Sequence, residues 1–513
     1  MGRVPFGCPI LGDNAVMSDR QRLRARLCAV FVLGMLLSPQ ALRAAPAAAT
    51  LPLEPCRITD AEGLVSTEAR CGRLAVPENR YEPGGPRIEL AVAVVPAIAM
   101  TAQPDPLFLI AGGPGQATIE GYAPHLAAFA RIRRERDLVL LDQRGTGGSN
   151  RLECPMPEDA LTAGDVSPAE LKALARQCLK KLPRGIEHYT TSVAVRDLDA
   201  VRAALGYERI NLFAGSYGTR VAQHYLRHYP ERTRSVVLDG IVPPGNPLVP
   251  RIAIESQAAL DAVFARCTAD AACNVRFPQI ARQFARVDAR LRNGAVGIDF
   301  TDPVSGASRR LDVTRAHLVT LARMLTYSSR AASLLPLVVH EAATNGNWKP
   351  LAAQGEMIGK DLERMIAMGM HNTVVCAEDA PRFDAATDRA ALEATTIGTI
   401  MVDGMTAICE IWPRGPVDAD FHAPLDSKVP ALLLSGEFDP ATPASYGAEA
   451  ARGFRNGLHL IVQGQGHGQT GQPCVQNLIR RFIEAGTAAG LDTSCIEAIE
   501  PAPFFLSFSG PSP

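Results

Sequence analysis

Three residues far apart in the chain are of the types that acyl transfer needs: Ser216, Asp439 and His467. A serine hydroxyl is a poor nucleophile at neutral pH unless an imidazole takes its proton, and the imidazole needs a carboxylate to orient it. Ser216 lies in Ile210-Asn211-Leu212-Phe213-Ala214-Gly215-Ser216-Tyr217-Gly218, an apolar run that breaks into a glycine-flanked serine and then a helical stretch. This is how a sharp strand-to-helix turn is written, with small residues demanded two places either side of the serine; here they are Ala214 and Gly218. A Gly-Ser-x-Gly string is also a common turn, so the flanking strand and helix carry the reading.

Asp439, in Gly436-Glu437-Phe438-Asp439-Pro440, follows one apolar run, and His467, in Gly464-Gln465-Gly466-His467-Gly468, follows the next. The order Ser, Asp, His is the one used on parallel sheets, and both partners fall at carboxyl ends of strands, where such sheets place ligands. Asp439 could instead cap the following helix, and Glu437 or Asp239 could be the acid. Among ten histidines, His467 stands apart because its flanking glycines let a loop bring the ring to the serine. An oxyanion needs backbone donors, each typically worth about 3 kcal/mol of barrier. Gly112-Gly113-Pro114-Gly115 follows an apolar run; Pro114 has no N–H, so Gly113 is the first choice, with the N–H of Tyr217 as the second. No lysine follows in phosphate-loop spacing. Asp142-Gln143-Arg144-Gly145-Thr146-Gly147-Gly148-Ser149 mimics a dinucleotide loop, but Asn150 replaces the last glycine and Pro155 soon follows, so it reads as a structural turn beside the site.

The elements that must position these groups follow from periodicity. Alternation at Ile88, Leu90, Val92 and Val94 predicts antiparallel strands between Arg73 and Ala97. Continuous apolar runs at 106–111, 137–142, 210–215, 235–239, 430–436 and 457–462 predict strands covered on both faces, alternating with helices over 192–205, after Ser216, and over 475–486. Residues 243–425 break that rhythm with helical stretches such as Glu255 to Arg266 and Gln279 to Leu291, an inserted, mainly helical cap. The expected organisation is a leader over 1–45, a core over 46–242, the cap over 243–425, the rest of the core over 426–500, and a tail over 501–513 whose Phe504-Phe505-Leu506 either docks or stays mobile.

The net charge of −1 advertises neither nucleic acid nor an acidic membrane as a partner. Arginines at 20, 22, 24 and 26 precede the eleven-residue apolar stretch Leu27 to Leu37 and the small residues Ala44-Ala45-Pro46-Ala47, which reads as a secretory signal. Its length falls short of the roughly 20 residues of a membrane span, so no stable anchor is expected. Met17 is an alternative start, and cleavage near Ala45 would leave 46 basic and 51 acidic residues, a charge of −5. Ten of the twelve cysteines remain after the leader and fall into local pairs: Cys56 with Cys71, Cys154 with Cys178, Cys267 with Cys273, Cys376 with Cys409, Cys474 with Cys495. An even count in an exported protein points to bridges; free thiols or a metal site are the alternatives, without a CxxC pair or a histidine cluster to support zinc.

Taken jointly, Gly112-Gly113-Pro114-Gly115, Asp142-Gln143-Arg144-Gly145, Gly215-Ser216-Tyr217-Gly218, Phe438-Asp439 and Gly466-His467-Gly468 resemble the proline iminopeptidase and tripeptidyl aminopeptidase family of α/β-hydrolase serine peptidases, in its secreted branch with a TAP-like C-terminal segment. The resemblance implies an α/β-hydrolase fold, a mostly parallel sheet with a helical cap, and cleavage at the free N-terminus of a peptide substrate, without metal or organic cofactor. Ala111 and Ala214 depart from the pattern, standing where related chains often carry histidine and glycine. An aminopeptidase must bind an ammonium, and Val374-Val375-Cys376-Ala377-Glu378-Asp379 resembles the family's cap segment of a cysteine followed by acids, making Glu378 and Asp379 the expected receivers. A solvated helix start would explain the same acids. Trp412 would line the pocket or fill core. A carboxylesterase could use the same triad, and a noncatalytic binding protein of this fold is the rival from another class.

Overall fold

The computed structural model describes residues 50–154, 164 and 166–511; the leader expected over 1–45 lies outside the described residues. The sheet has nine strands in the order β1-β2-β3-β5-β4-β6-β7-β10-β11. Three are antiparallel and come first: β1 (Glu54–Thr59), β2 (Ser66–Pro77) and β3 (Arg87–Val95). The rest run parallel: β4 (Leu107–Ile110), β5 (Leu138–Leu141), β6 (Ile210–Gly215), β7 (Thr233–Asp239), β10 (Ala431–Gly436) and β11 (Gly457–Val462). This is the sheet that the apolar runs predict.

Those runs are continuous because both faces are covered, and alternate residues serve opposite faces. Phe108, Ile110, Leu212, Ala214, Val236, Leu238 and Leu433 meet the helices Thr191–Ala204 and Tyr217–His228 through Val195, Leu198, Val221 and Tyr225. Leu107, Leu109, Phe213, Val237, Leu432 and Leu434 meet Phe129 and the helix Pro473–Ala485 through Val475, Leu478 and Phe482. That last helix stops at Gly486, whose φ of +66° is the left-handed C-terminal conformation glycine permits.

Between β7 and β10 the chain builds helices, among them Ile252–Ala269, Ile280–Arg292, Arg315–Leu325, Leu335–Thr344, Lys349–Met365 and Ile400–Cys409. The hairpin β8 (Val296–Thr301) with β9 (Ser308–Val313) inside this segment is not foreshadowed by the apolar pattern. Its strands bury little besides Phe300, Leu311 and Val313, so the apolar signal is sparse. A separate core forms here around Leu260, Phe264, Phe277, Leu318 and Leu335, and Phe504 joins it. The tail therefore docks: Arg266 lies 4.1 Å over the Phe504 ring, and the Phe505 N–H donates to the Ser333 carbonyl at 3.1 Å.

The ten cysteines form five disulfides with the local pairing read from the sequence. Among the described residues no helix is long and apolar enough to cross a membrane.

Candidate active site

The turn after β6 is strained where the sequence demands it. Ser216 has φ 54° and ψ −129°, a conformation costly for any residue with a Cβ and held by its surroundings. Its N–H donates to the Asp239 carbonyl at 2.9 Å, tying it to the end of β7. A Cβ on Gly218 would lie 2.7 Å from the carbonyl oxygens of Ile110 and Ala111, and one on Gly112 would lie 2.8 Å from Ser216 Cβ. Glycine at these places lets the serine helix and the loop after β4 close on each other.

Asp439 and His467 come together. The His467 Nδ1–H donates to Asp439 Oδ2 at 2.8 Å, and the carboxylate is fully buried. Asp439 also accepts from the N–H groups of Ala441 and Thr442 at 2.9 and 2.8 Å, and from Thr442 Oγ1 at 2.8 Å. Asp439 thus both caps its turn and orients the ring. The rival acids are engaged elsewhere: Glu437 accepts from the Gly464 N–H at 2.8 Å, and Asp239 from the Gln469 N–H at 2.7 Å. Burial pushes the Asp239 carboxyl up to about 6 despite that bond. Burial also pulls the His467 imidazole down, but Asp439, with Asp239 behind it, outweighs burial and leaves it above its ordinary value.

His467 Cε1 lies 2.8 Å from where a Cβ on Gly240 would stand, so the ring packs against the residue after Asp239. Ser216 and His467 therefore both lie at the end of β7, one held through its backbone and one through its ring. Among the described residues Ser216 Oγ and His467 make no hydrogen bond; catalytic contacts of this kind often tighten when substrate is bound. Gly113 is exposed, and neither its N–H nor that of Tyr217, the first residue of a helix, has an acceptor among the described residues.

The acids after Cys376 are placed differently from an open pair. Asp379 is fully buried against Arg220 Nη1 at 2.8 and 3.1 Å, while Glu378, also buried, accepts from the Thr191 N–H and Oγ1 at 2.6 and 2.9 Å. Burial raises the Glu378 carboxyl to about 8, with the Arg220 charge opposing. Arg220 lies one turn beyond Ser216 on the same helix, and no motif or spacing foretells its meeting with Asp379. Trp412 is core, its Nε1–H donating to Thr373 Oγ1 at 3.0 Å. The Asp142 turn is structural: its carboxylate takes the N–H groups of Ile119 and Gly148, each at 2.9 Å.

Sequence reasoning missed Thr442, Tyr327 and Arg323. Thr442 could have been found from the Asp-Pro-Ala-Thr turn. Tyr327 could not: its carbonyl accepts the His467 N–H at 2.7 Å from a distant helical segment. One cluster has metal-like spacing, with Nε2 of His224 and of His228 at 3.0 and 3.3 Å from Asp418 Oδ2. Arg196 already pairs with Asp418 at 3.0 Å, so the cluster reads as an ion-pair network at the far end of the serine helix.

A family model described as alpha/beta hydrolase fold matches residues 105–336, and one described as TAP-like protein matches residues 394–495. The chain has the α/β-hydrolase fold. The TAP-like match spans the loops of Asp439 and His467, and the alpha/beta hydrolase fold match spans Ser216. The serine protease Hip1 of Mycobacterium tuberculosis is 26% identical, covering 86% of this chain and 90% of its own. The tripeptidyl aminopeptidase of Streptomyces lividans is 26% identical, covering 85% of each. Carboxylesterase B of M. tuberculosis is 26% identical, covering 86% of this chain and 89% of its own. The protein is a hydrolase.

Proposed function

We propose that the protein is an exported serine aminopeptidase that releases proline or a short peptide from a free N-terminus through an acyl-enzyme. Ser216 attacks the scissile carbonyl, His467 takes the proton and returns it to the departing amine, and Asp439 holds the ring. The N–H groups of Gly113 and Tyr217 receive the oxyanion. The observation that carries this reading is the His467–Asp439 pair at 2.8 Å, packed on the residue next to the one whose carbonyl anchors Ser216. Five disulfides favour an oxidising compartment, in keeping with the leader.

Of the two acids expected to receive the amine, Glu378 is the stronger choice. Asp379 already faces a guanidinium, whereas the hydrogen bonds of Glu378 come from neutral donors. An entering ammonium supplies the cation that its burial lacks. No metal or organic cofactor has a part in this scheme.

The Carboxylesterase B relative keeps an esterase as the second reading. A chromogenic amide with a free amine, assayed beside its N-acetylated form, separates the two. Turnover of the free amine alone supports the aminopeptidase; equal cleavage of both would overturn it in favour of the esterase.

A further inference from the structure

Arg323, half-buried on the helix Arg315–Leu325, has no carboxylate partner among the described residues. Its Nη2 donates to Tyr327 Oη at 3.0 Å, its Nη1 has the Met324 sulfur at 3.9 Å, and its Nε is buried without an acceptor. Arginines removed from water are normally paired, because an uncompensated charge is costly to bury.

The position matters more than the vacancy. Tyr327, which holds Arg323, also holds the base: its carbonyl takes the His467 N–H at 2.7 Å, and its ring stands edge-on to the imidazole with centroids 5.1 Å apart. The Arg323 charge opposes protonation of His467 and of His371, whose Nδ1 faces the Pro114 carbonyl at 3.3 Å in the loop of Gly113. A cation there works against the imidazolium that forms during acyl transfer. The arrangement becomes favourable once the substrate brings an anion to it. In the proposed scheme His467 returns its proton to the departing amine, and Tyr327, packed on that ring, carries Arg323 on its hydroxyl, which puts the guanidinium on the side of the departing half.

We infer that Arg323 receives a carboxylate on the departing half of the peptide, either the C-terminal carboxylate of a short product or an acidic side chain next to the cleaved bond. The inference rests on the aminopeptidase reading and deepens it: with an ammonium receiver at one end and a carboxylate receiver at the other, the site is built for short peptides.

The test compares wild type, R323Q and R323K on three matched free-amine peptides. One ends in a free carboxylate two residues past the cleaved bond, one carries a carboxamide there, and one is the carboxamide with Asp directly after the cleaved bond. Wild type is expected to favour a carboxylate-bearing peptide over the neutral one by roughly 10- to 100-fold in kcat/KM, as befits a charge-assisted hydrogen bond. R323Q should lower that ratio to below about threefold and R323K should restore part of it, since a lysine keeps the charge without the bidentate fork. Which peptide is favoured identifies the source of the carboxylate. Equal cleavage of all three by wild type, or an unchanged ratio in R323Q, overturns the inference alone; no cleavage of any free-amine peptide overturns the aminopeptidase reading and the inference with it. Should R323Q not fold, wild type decides by product inhibition: the departing dipeptide should inhibit better as the free acid than as its amide, and equal inhibition would overturn the proposal.

Discussion

The carboxyl edge of the sheet and the helical segment above it position side chains in opposite ways. At the edge, each group of the proposed triad sits within a few residues of a strand end, and the strand fixes it: Ser216 one residue after β6, Asp439 three after β10, His467 five after β11. In the segment between β7 and β10, side chains find their places through partners far away in sequence, as Asp379 does with Arg220 and Tyr327 with His467, whose ring it meets edge-on. In the proposed scheme chemistry is thus assigned to backbone geometry and selectivity to tertiary packing. Substitutions at the edge should abolish turnover while sparing the fold, and those above it should do the reverse or shift substrate preference.

The sharpest separation is expected at Ser216. Ser216→Ala should lower kcat by about 10⁶-fold, while thermal unfolding stays within a few degrees of wild type. Loss of fold together with activity would mean that the edge is not the rigid platform described. Next comes Asp439→Asn, for which about 10⁴-fold in kcat is expected from loss of the correct tautomer. Its pH profile carries further information. His467 is raised above the ordinary histidine value, and catalysis needs it neutral, so the acid limb of wild-type kcat/KM should have its midpoint above about 6.5. Asp439 is the largest influence raising it, so the residual activity of Asp439→Asn should show the limb moved to lower pH. Glu437→Gln, remote from the ring, should leave the limb in place. If Glu437→Gln moves it instead, the triad acid has been misassigned.

The same contrast explains what could be read from the sequence. A strand buried on both faces announces itself as a continuous apolar run, and the turn after it carries its candidate residue in a short motif, so the six parallel strands and the residues at their ends were legible, whereas β1, exposed along most of its length, was not. The local disulfides were suggested by near-neighbour cysteines, but ten cysteines allow many pairings and the connectivity is settled only by the fold. Glu378 and Asp379 were visible as acids, but their partners were not: no spacing rule connects Asp379 to Arg220, 159 residues away. Arg323 escaped notice because an arginine on an amphipathic helix looks like solvated surface until its neighbours are known. The β8–β9 hairpin was lost for a related reason, since strands that bury only Phe300 in β8 and Leu311 and Val313 in β9 give little period-2 signal.

Above the edge, the largest predicted effect is on stability. Asp379→Asn leaves Arg220 charged and buried without its counterion, and breaking a buried pair from one side typically costs about 3–5 kcal/mol. Chemical denaturation should show that loss, and whatever protein remains folded should keep most of its kcat. A stable but inactive Asp379→Asn would place this carboxylate in contact with substrate and erase the distinction between the two acids.

Glu378→Gln should have the smallest effect, and it tests both region and role. As amine receiver, its loss should raise KM for free-amine substrates about tenfold, the low end for a charge-assisted contact. Stability should respond in a pH-dependent way. The Glu378 carboxyl is raised from 4.5 to about 8 by burial, so the folded protein keeps its proton where the unfolded chain has released it. The stabilisation from this group is therefore complete below about pH 4.5 and drains away as pH climbs toward 8. Glutamine cannot ionise and is spared that loss, so the melting temperature of Glu378→Gln relative to wild type should rise steadily between pH 5 and pH 8. A flat difference over that range would show Glu378 ionised throughout, which its sealed position beside Thr191 and Tyr217 does not permit unless a cation already accompanies it.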